Sequence, residues 1–247
     1  ALYNMKFLEK CGQKQRGLKA NPPVTVVTFG DSVTQGCFEC FKTEEGGVQT
    51  VFDPQSAYGE RLKKMLNTMY PSVQVNLINS GISGDSVIGG LERINRDVLR
   101  YSPDLVIVGY ALNDASVFGR ERIGEYEEKL RAIVKKIKTA GAECILLTPN
   151  FNCTKTSCHI MNEELLVNIS EGLSEIQNDG VLAEFAEVIR KVAKEENAAL
   201  CDVYREWERA YAAGADVTEL LANKLNHPLR EVHYFTAFML LKTMLDN

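Results

Sequence analysis

The stretch "FGDSVTQG", Phe29 to Gly36, places a serine where a hydrophobic run, "VTVVTF", breaks into a polar turn flanked by glycines. Held at the mouth of a sheet, such a hydroxyl can attack a carbonyl carbon. It is a poor nucleophile until a neighbouring base takes its proton. The sequence offers three histidines, His159, His227 and His233. His227 precedes Pro228, which favours an extended or turn conformation there, so it is the candidate base for Ser32. His233 falls inside a long helical pattern and reads as a packing residue. His159 sits in a loop and reads as solvated. The plain alternative for Ser32 is a turn serine that caps the next helix.

Elements that would position these groups are legible in the pattern. Runs starting at Val24, Val73, Asp104, Glu143 and Ala199 are continuously apolar and short, as strands buried on both faces are. Between them lie helical stretches. One starts at a Ser56 cap and stops before Pro71, and one carries Ile123, Tyr126, Leu130, Ile133 and Ile137 along a face. Others are "DGVLAEFAEVIRKVAKEEN" and the closing "REVHYFTAFMLLKTML". Alternating strand and helix predicts a doubly wound α/β domain. Two segments, about 36–55 and 150–161, read as long and irregular. Ligands in such folds bind outside the carboxyl ends of the strands. Ser32, "NSGISGDS" (Asn79 to Ser86), "ALND" (Ala111 to Asp114) and "NHPLREVH" (Asn226 to His233) would all converge on that rim.

Gly30-Asp31-Ser32, the glycine turn Gly81 to Gly84, Asn113-Asp114 and His227-Pro228 resemble, in order, the four blocks of the SGNH, or GDSL-type, hydrolase family. The resemblance runs from Val24 to the C-terminus. It implies a flavodoxin-like three-layer α/β/α fold with a parallel five-stranded sheet. We expect one domain over 1–247, with 1–22 as an N-terminal extension. The implied oxyanion hole is the backbone N–H of Ser32, the backbone N–H of Gly84 and the Asn113 side chain. The alternatives are a turn requiring positive φ at Gly84 and an Asx-turn at Asn113. The implied reaction is hydrolysis of short acyl esters, deacetylation of sugars or oligosaccharides foremost, with no cofactor. Asp31, Asp114 and Asp202 read as structural. Two positions depart from the family pattern. Ala111 replaces a glycine, and Lys224 stands where an aspartate would orient the histidine. The expected orienters of His227 are the Asn223 side-chain oxygen or a backbone carbonyl in the Asn223 to Asn226 turn, ahead of a carboxylate from elsewhere. The missing aspartate keeps open a carbohydrate-binding protein of weak activity, and an acyltransferase on the same constellation is a second rival.

Composition bounds the remaining classes. The 247 residues are 45% hydrophobic and 25% charged with a net charge of -5, enough for one substantial core. No basic patch with interleaved aromatics points to nucleic acid, and no apolar run approaches a membrane span. The N-terminus as given has no signal-peptide pattern, because Lys6, Glu9 and Lys10 interrupt it. Seven cysteines cannot all pair within the chain, which favours a reducing cytoplasm. There the sequons at Asn152 and Asn168 have no meaning. Cys37 and Cys40, with Cys153, Cys158 and His159, could in principle bind zinc, but the spacing after Cys153 is loose and incidental thiols are common, so no metal is expected.

Overall fold

The five apolar runs pair into one sheet. The computed structural model describes residues 4–247. Its strands are β1 (Val24–Gly30), β2 (Cys37–Lys42), β3 (Val48–Phe52), β4 (Val75–Gly81), β5 (Leu105–Gly109), β6 (Glu143–Leu147) and β7 (Ala199–Cys201). Five of them form a parallel sheet in the order β4-β1-β5-β6-β7. β1 and β5 are buried along almost their whole length, as a sheet covered on both faces requires.

The first helices are α1 (Phe7–Arg16), α2 (Ser32–Gln35), α3 (Tyr58–Met69), α4 (Val87–Asp97) and α5 (Leu112–Phe118). They are followed by α6 (Ile123–Thr139), α7 (Glu164–Asn178), α8 (Val181–Glu195), α9 (Val203–Ala212) and α10 (Arg230–Asp246). α1 and α3 pack on α10, while α4 and α8 pack on α6, giving a three-layer α/β/α arrangement. The stripe foreseen on α6 is its buried face, with Tyr126, Leu130, Ile133 and Ile137 in the core.

Register sets the rim. Gly30 pairs level with Gly81 on one side and Gly109 on the other. Three strands therefore end at one height, and the chain leaving β1 emerges at the point where strand order reverses.

Two details differ from the sequence reading. The segment 36–55 is not irregular: β2 and β3 pair antiparallel as a hairpin outside the main sheet. Ser56 does not cap α3, because Pro54 starts a one-turn 3₁₀ segment that takes up Ser56. Ala57 then precedes α3 with no side-chain cap. The first described residues pack against the sheet domain. Phe7 and Cys11 are buried, and the Met5 N–H donates to the Asn247 carbonyl at 2.9 Å. No helix among the described residues is long and apolar enough to cross a membrane.

Candidate active site

Ser32 opens α2, the single helical turn after β1. Asp31 caps that turn, its Oδ1 accepting from the Val33 N–H at 3.0 Å. The turn sits hard against β4: a Cβ on Gly81 would lie 2.3 Å from the Gln35 nitrogen, so only glycine fits there. As the first helical residue, Ser32 has a backbone N–H with no intrahelical acceptor. Ser32 is 4% exposed and His227 6%, so the pair lies in a recess.

His227 Nε2 lies 3.0 Å from Ser32 Oγ. The other ring nitrogen, Nδ1, lies 3.0 Å from the backbone carbonyl oxygen of Phe38. A carbonyl can only accept, so Nδ1 carries the proton and Nε2 offers its lone pair to the serine hydroxyl. Burial pushes the imidazole below its ordinary pKa, and the hydrogen bond to Phe38 opposes part of that shift. The ring is therefore neutral near pH 7 and can act as a base.

The acceptor for Nδ1 is a backbone carbonyl, but not one in the Asn223 to Asn226 turn. It belongs to β2 of the hairpin. Asn223 is not the orienter, because its Oδ1 is occupied. That oxygen accepts the N–H groups of Leu225, Asn226 and His227 at 3.0, 2.9 and 2.9 Å. Asn223 instead shapes the turn that delivers His227. The turn is closed by the Ala222 N–H donating to the His227 carbonyl at 2.7 Å and is tied down by Asn150 Nδ2 on the Asn226 carbonyl at 2.9 Å. Lys224 adopts φ 59° and turns away, its Nζ 2.9 Å from Glu219 Oε2.

The glycine and asparagine segments meet on the same rim. Gly84 has φ 79°, a backbone region that favours glycine. Its N–H has no acceptor among the described residues. Asn113, at the start of α5, donates one amide hydrogen to the Asp85 carbonyl at 2.8 Å, next to Gly84. Its second amide hydrogen is left for another acceptor. Ala111 precedes α5 with φ -177°, extended backbone that any residue adopts, so the missing glycine strains nothing.

Beneath these loops lies a polar support that the sequence reading missed. Buried Arg93 donates to Asp85 Oδ2 at 2.8 Å, the Ser80 carbonyl at 2.8 Å and the Gly30 carbonyl at 3.2 Å. It also donates to the Tyr110 hydroxyl at 2.7 Å, and that hydroxyl donates to Asp85 Oδ2 at 2.9 Å. One guanidinium thus ties the ends of β1 and β4 to the loop after β5. A signal was available: Arg93 falls beside Gly90 and Ile94 on the apolar face of α4, where a lone arginine needs partners. Asp114 is fully buried, with Oδ1 accepting from the Val87 N–H at 2.9 Å and Oδ2 unpartnered. Burial pushes both Asp31 and Asp114 up to about 7. Asp202 caps α9 and holds Arg190 at 3.0 Å.

The remaining histidines lie apart from the serine. His233 is buried in α10, its Nδ1 accepting from the Tyr58 N–H at 2.9 Å, and burial pushes it down to about 3. His159 is an exposed side chain 3.6 Å from Glu219. Cys37 and Cys153 are buried, Cys158 is exposed, and no cluster of potential metal ligands occurs among the described residues.

A three-layer α/β/α sheet with a serine–histidine pair at its switch point defines a class of hydrolase-like folds. Residues 28–233 match the GDSL-like lipase/acylhydrolase family. The chain belongs to that family and is a carboxylic-ester hydrolase. An acetylxylan esterase of Geobacillus stearothermophilus is 24% identical over 182 residues, 70% of this chain and 73% of that protein. The crystal structure of a lipase/acylhydrolase from Enterococcus faecalis has TM-score 0.66 at 21% identity, covering 89% of this chain and 94% of the other. A two-domain esterase active on acetylated mannans has TM-score 0.68 at 18% identity, covering 99% of this chain and 54% of the other.

Proposed function

We propose that the protein is a serine esterase that removes short acyl groups, acetyl foremost, from sugars or oligosaccharides. The observation that carries this reading is the Ser32 Oγ to His227 Nε2 contact at 3.0 Å, with Nδ1 fixed on the Phe38 carbonyl. Ser32 Oγ attacks the ester carbonyl while its proton passes to Nε2. The resulting imidazolium protonates the leaving alkoxide. Water, deprotonated by the same nitrogen, then attacks the acyl-enzyme and frees Ser32. Charge on the tetrahedral oxygen is met by the Ser32 and Gly84 N–H groups and the Asn113 amide.

A neutral carbonyl stabilises the imidazolium less than a carboxylate would, so turnover is modest for the class. The acetyl-sugar preference draws on the acetylxylan and acetylated-mannan esterases that the chain resembles. Seven free thiols, five of them buried, support a reducing compartment.

The test is a panel of p-nitrophenyl esters graded by acyl length, run beside acetylated xylo- and manno-oligosaccharides. Acetate release from the sugars, with acetate and propionate esters faster than octanoate, is the expected result. A rate that climbs steadily with acyl length would contradict the short-acyl assignment, because each methylene in a fitting groove gains about 0.8 kcal/mol.

A further inference from the structure

The carbonyl that holds His227 sits on an element with little hold of its own. Of β2 and β3, only Cys37 and Phe38 are buried, and Phe41, Val48 and Phe52 are exposed. Something must keep the Phe38 carbonyl within hydrogen-bond reach of the imidazole, because a backbone acceptor is only as well placed as its strand.

Arg230 meets that need. It follows His227 by three residues and opens α10. Its guanidinium grips both strands of the hairpin at their open end. Nη1 and Nη2 donate to Glu39 Oε1 and Oε2 at 2.6 and 3.2 Å, and Nε donates to Asp53 Oδ2 at 2.9 Å. Glu39 is the residue after Phe38, and Asp53 immediately follows β3. The guanidinium carbon also lies 4.2 Å from the centroid of the Phe38 ring. One side chain thus binds the residue that presents the acceptor and its immediate neighbour, from a backbone only three residues beyond the histidine.

The geometry points to Arg230 as a positioning residue for His227. It clamps the β2–β3 hairpin so that the Phe38 carbonyl selects the Nδ1–H tautomer and keeps Nε2 aimed at Ser32. This rests on the Ser32–His227 reading above. The clamp replaces, through a backbone atom, what an aspartate at position 224 would do directly. Arg230, Glu39 and Asp53 are each about one-third exposed, so their ion pairs add little to global stability and removing them leaves the fold standing. A loss of activity would then report position rather than unfolding.

The experiment uses Arg230→Met, which keeps bulk without donors, and Arg230→Lys, which keeps the charge without the fork. Both are assayed on p-nitrophenyl acetate, and the histidine tautomers are read by long-range ¹H–¹⁵N NMR, with His227 assigned from the signal lost in His227→Ala. For Arg230→Met the expected result is a kcat lower by about tenfold to a hundredfold. KM should stay within about twofold, since the clamp touches no substrate. His227 should pass from a single Nδ1–H tautomer to a mixture, and Arg230→Lys should fall between. If Arg230→Met does not fold, the double variant Glu39→Gln/Asp53→Asn opens the clamp from the other side and carries the same expectations.

Wild-type kcat in a variant that lacks the clamp would overturn the inference. So would a lowered kcat with His227 still purely Nδ1–H, since Arg230 would then act by another route. The NMR readout does not depend on turnover. If Ser32→Ala kept its activity, the serine assignment would fall while the tautomer measurement still judged the clamp.

Discussion

His227 and Phe38 are 189 residues apart, yet the Nδ1 of one lies 3.0 Å from the carbonyl oxygen of the other. The histidine is oriented by main chain, not by a carboxylate. A carboxylate would raise the imidazole pKa, whereas here burial lowers it from 6.5. As the proposed base, His227 would work only when neutral, so activity should be lost as pH falls through its folded-state pKa. The acid limb of kcat/KM should have its midpoint below 6.5. A midpoint above 6.5 would place a negative charge beside the ring that the structure does not contain.

Lys224 occupies the aspartate position of the family pattern but engages Glu219. Lys224→Ala should change kcat on p-nitrophenyl acetate by less than about tenfold, or about 1.4 kcal/mol. A loss as large as that of His227→Ala would make the lysine catalytic.

Asn223 takes three backbone N–H groups on one oxygen. Each buried donor left without a partner costs about 1–3 kcal/mol. Asn223→Ala should therefore lower stability by several kcal/mol at most and depress kcat with it, because the turn that delivers His227 loosens. Asn223→Asp keeps the acceptor and should recover most of the stability. Denaturant midpoints and kcat measured on both variants check this. Equal stability for Asn223→Ala and wild type would show that the turn does not depend on this side chain.

In the proposed mechanism, Asn113→Ala removes a donor that matters only when charge develops on the substrate oxygen. The expected loss is in kcat, about 10²–10³-fold, with KM little changed. Steady-state kinetics showing a change in KM alone would assign Asn113 to ground-state binding instead.

Asp114 is buried, and folding raises its pKa from 3.8 to about 7. An acid with a raised folded-state pKa binds its proton more tightly when folded. Its contribution to stability is therefore present at low pH and is lost as pH rises from 3.8 through about 7. Burial is the main cause, and the nearby Asp31 carboxylate pushes in the same direction. Asp114→Asn has no charge to bury. Thermal midpoints in acid and in mild base should show the variant gaining on the wild type as pH rises. A gap independent of pH would mean that the carboxyl is not strained by burial.

The main sheet was legible because its strands are buried on both faces and bounded by turn residues. Ser32 and His227, which the structure brings within 3.0 Å of each other, were singled out by the four ordered blocks together, since Gly-Asp-Ser alone reads equally as a helix-capping turn. The hairpin was not. Its residues are mostly exposed, and a bulge between Cys37 and Cys40 shifts its register and breaks a clean alternation. The acceptor on Phe38 could not be read at all, since a main-chain oxygen leaves no mark on residue type. Asn223 was singled out for the right turn but the wrong bond. Its side-chain oxygen is taken by local backbone N–H groups, two to four residues on, before it can reach the imidazole.

The central claim is that Ser32 carries the acyl group and His227 activates it. The most direct measurement is peptide mass spectrometry after treatment with a fluorophosphonate, with p-nitrophenyl acetate turnover followed in wild type, Ser32→Ala and His227→Ala. One adduct is expected, on Ser32, absent from Ser32→Ala and formed slowly in His227→Ala. A fall in kcat on the order of 10⁶ is expected for the serine variant. An adduct on another residue, or Ser32→Ala activity within about tenfold of wild type, would contradict the claim.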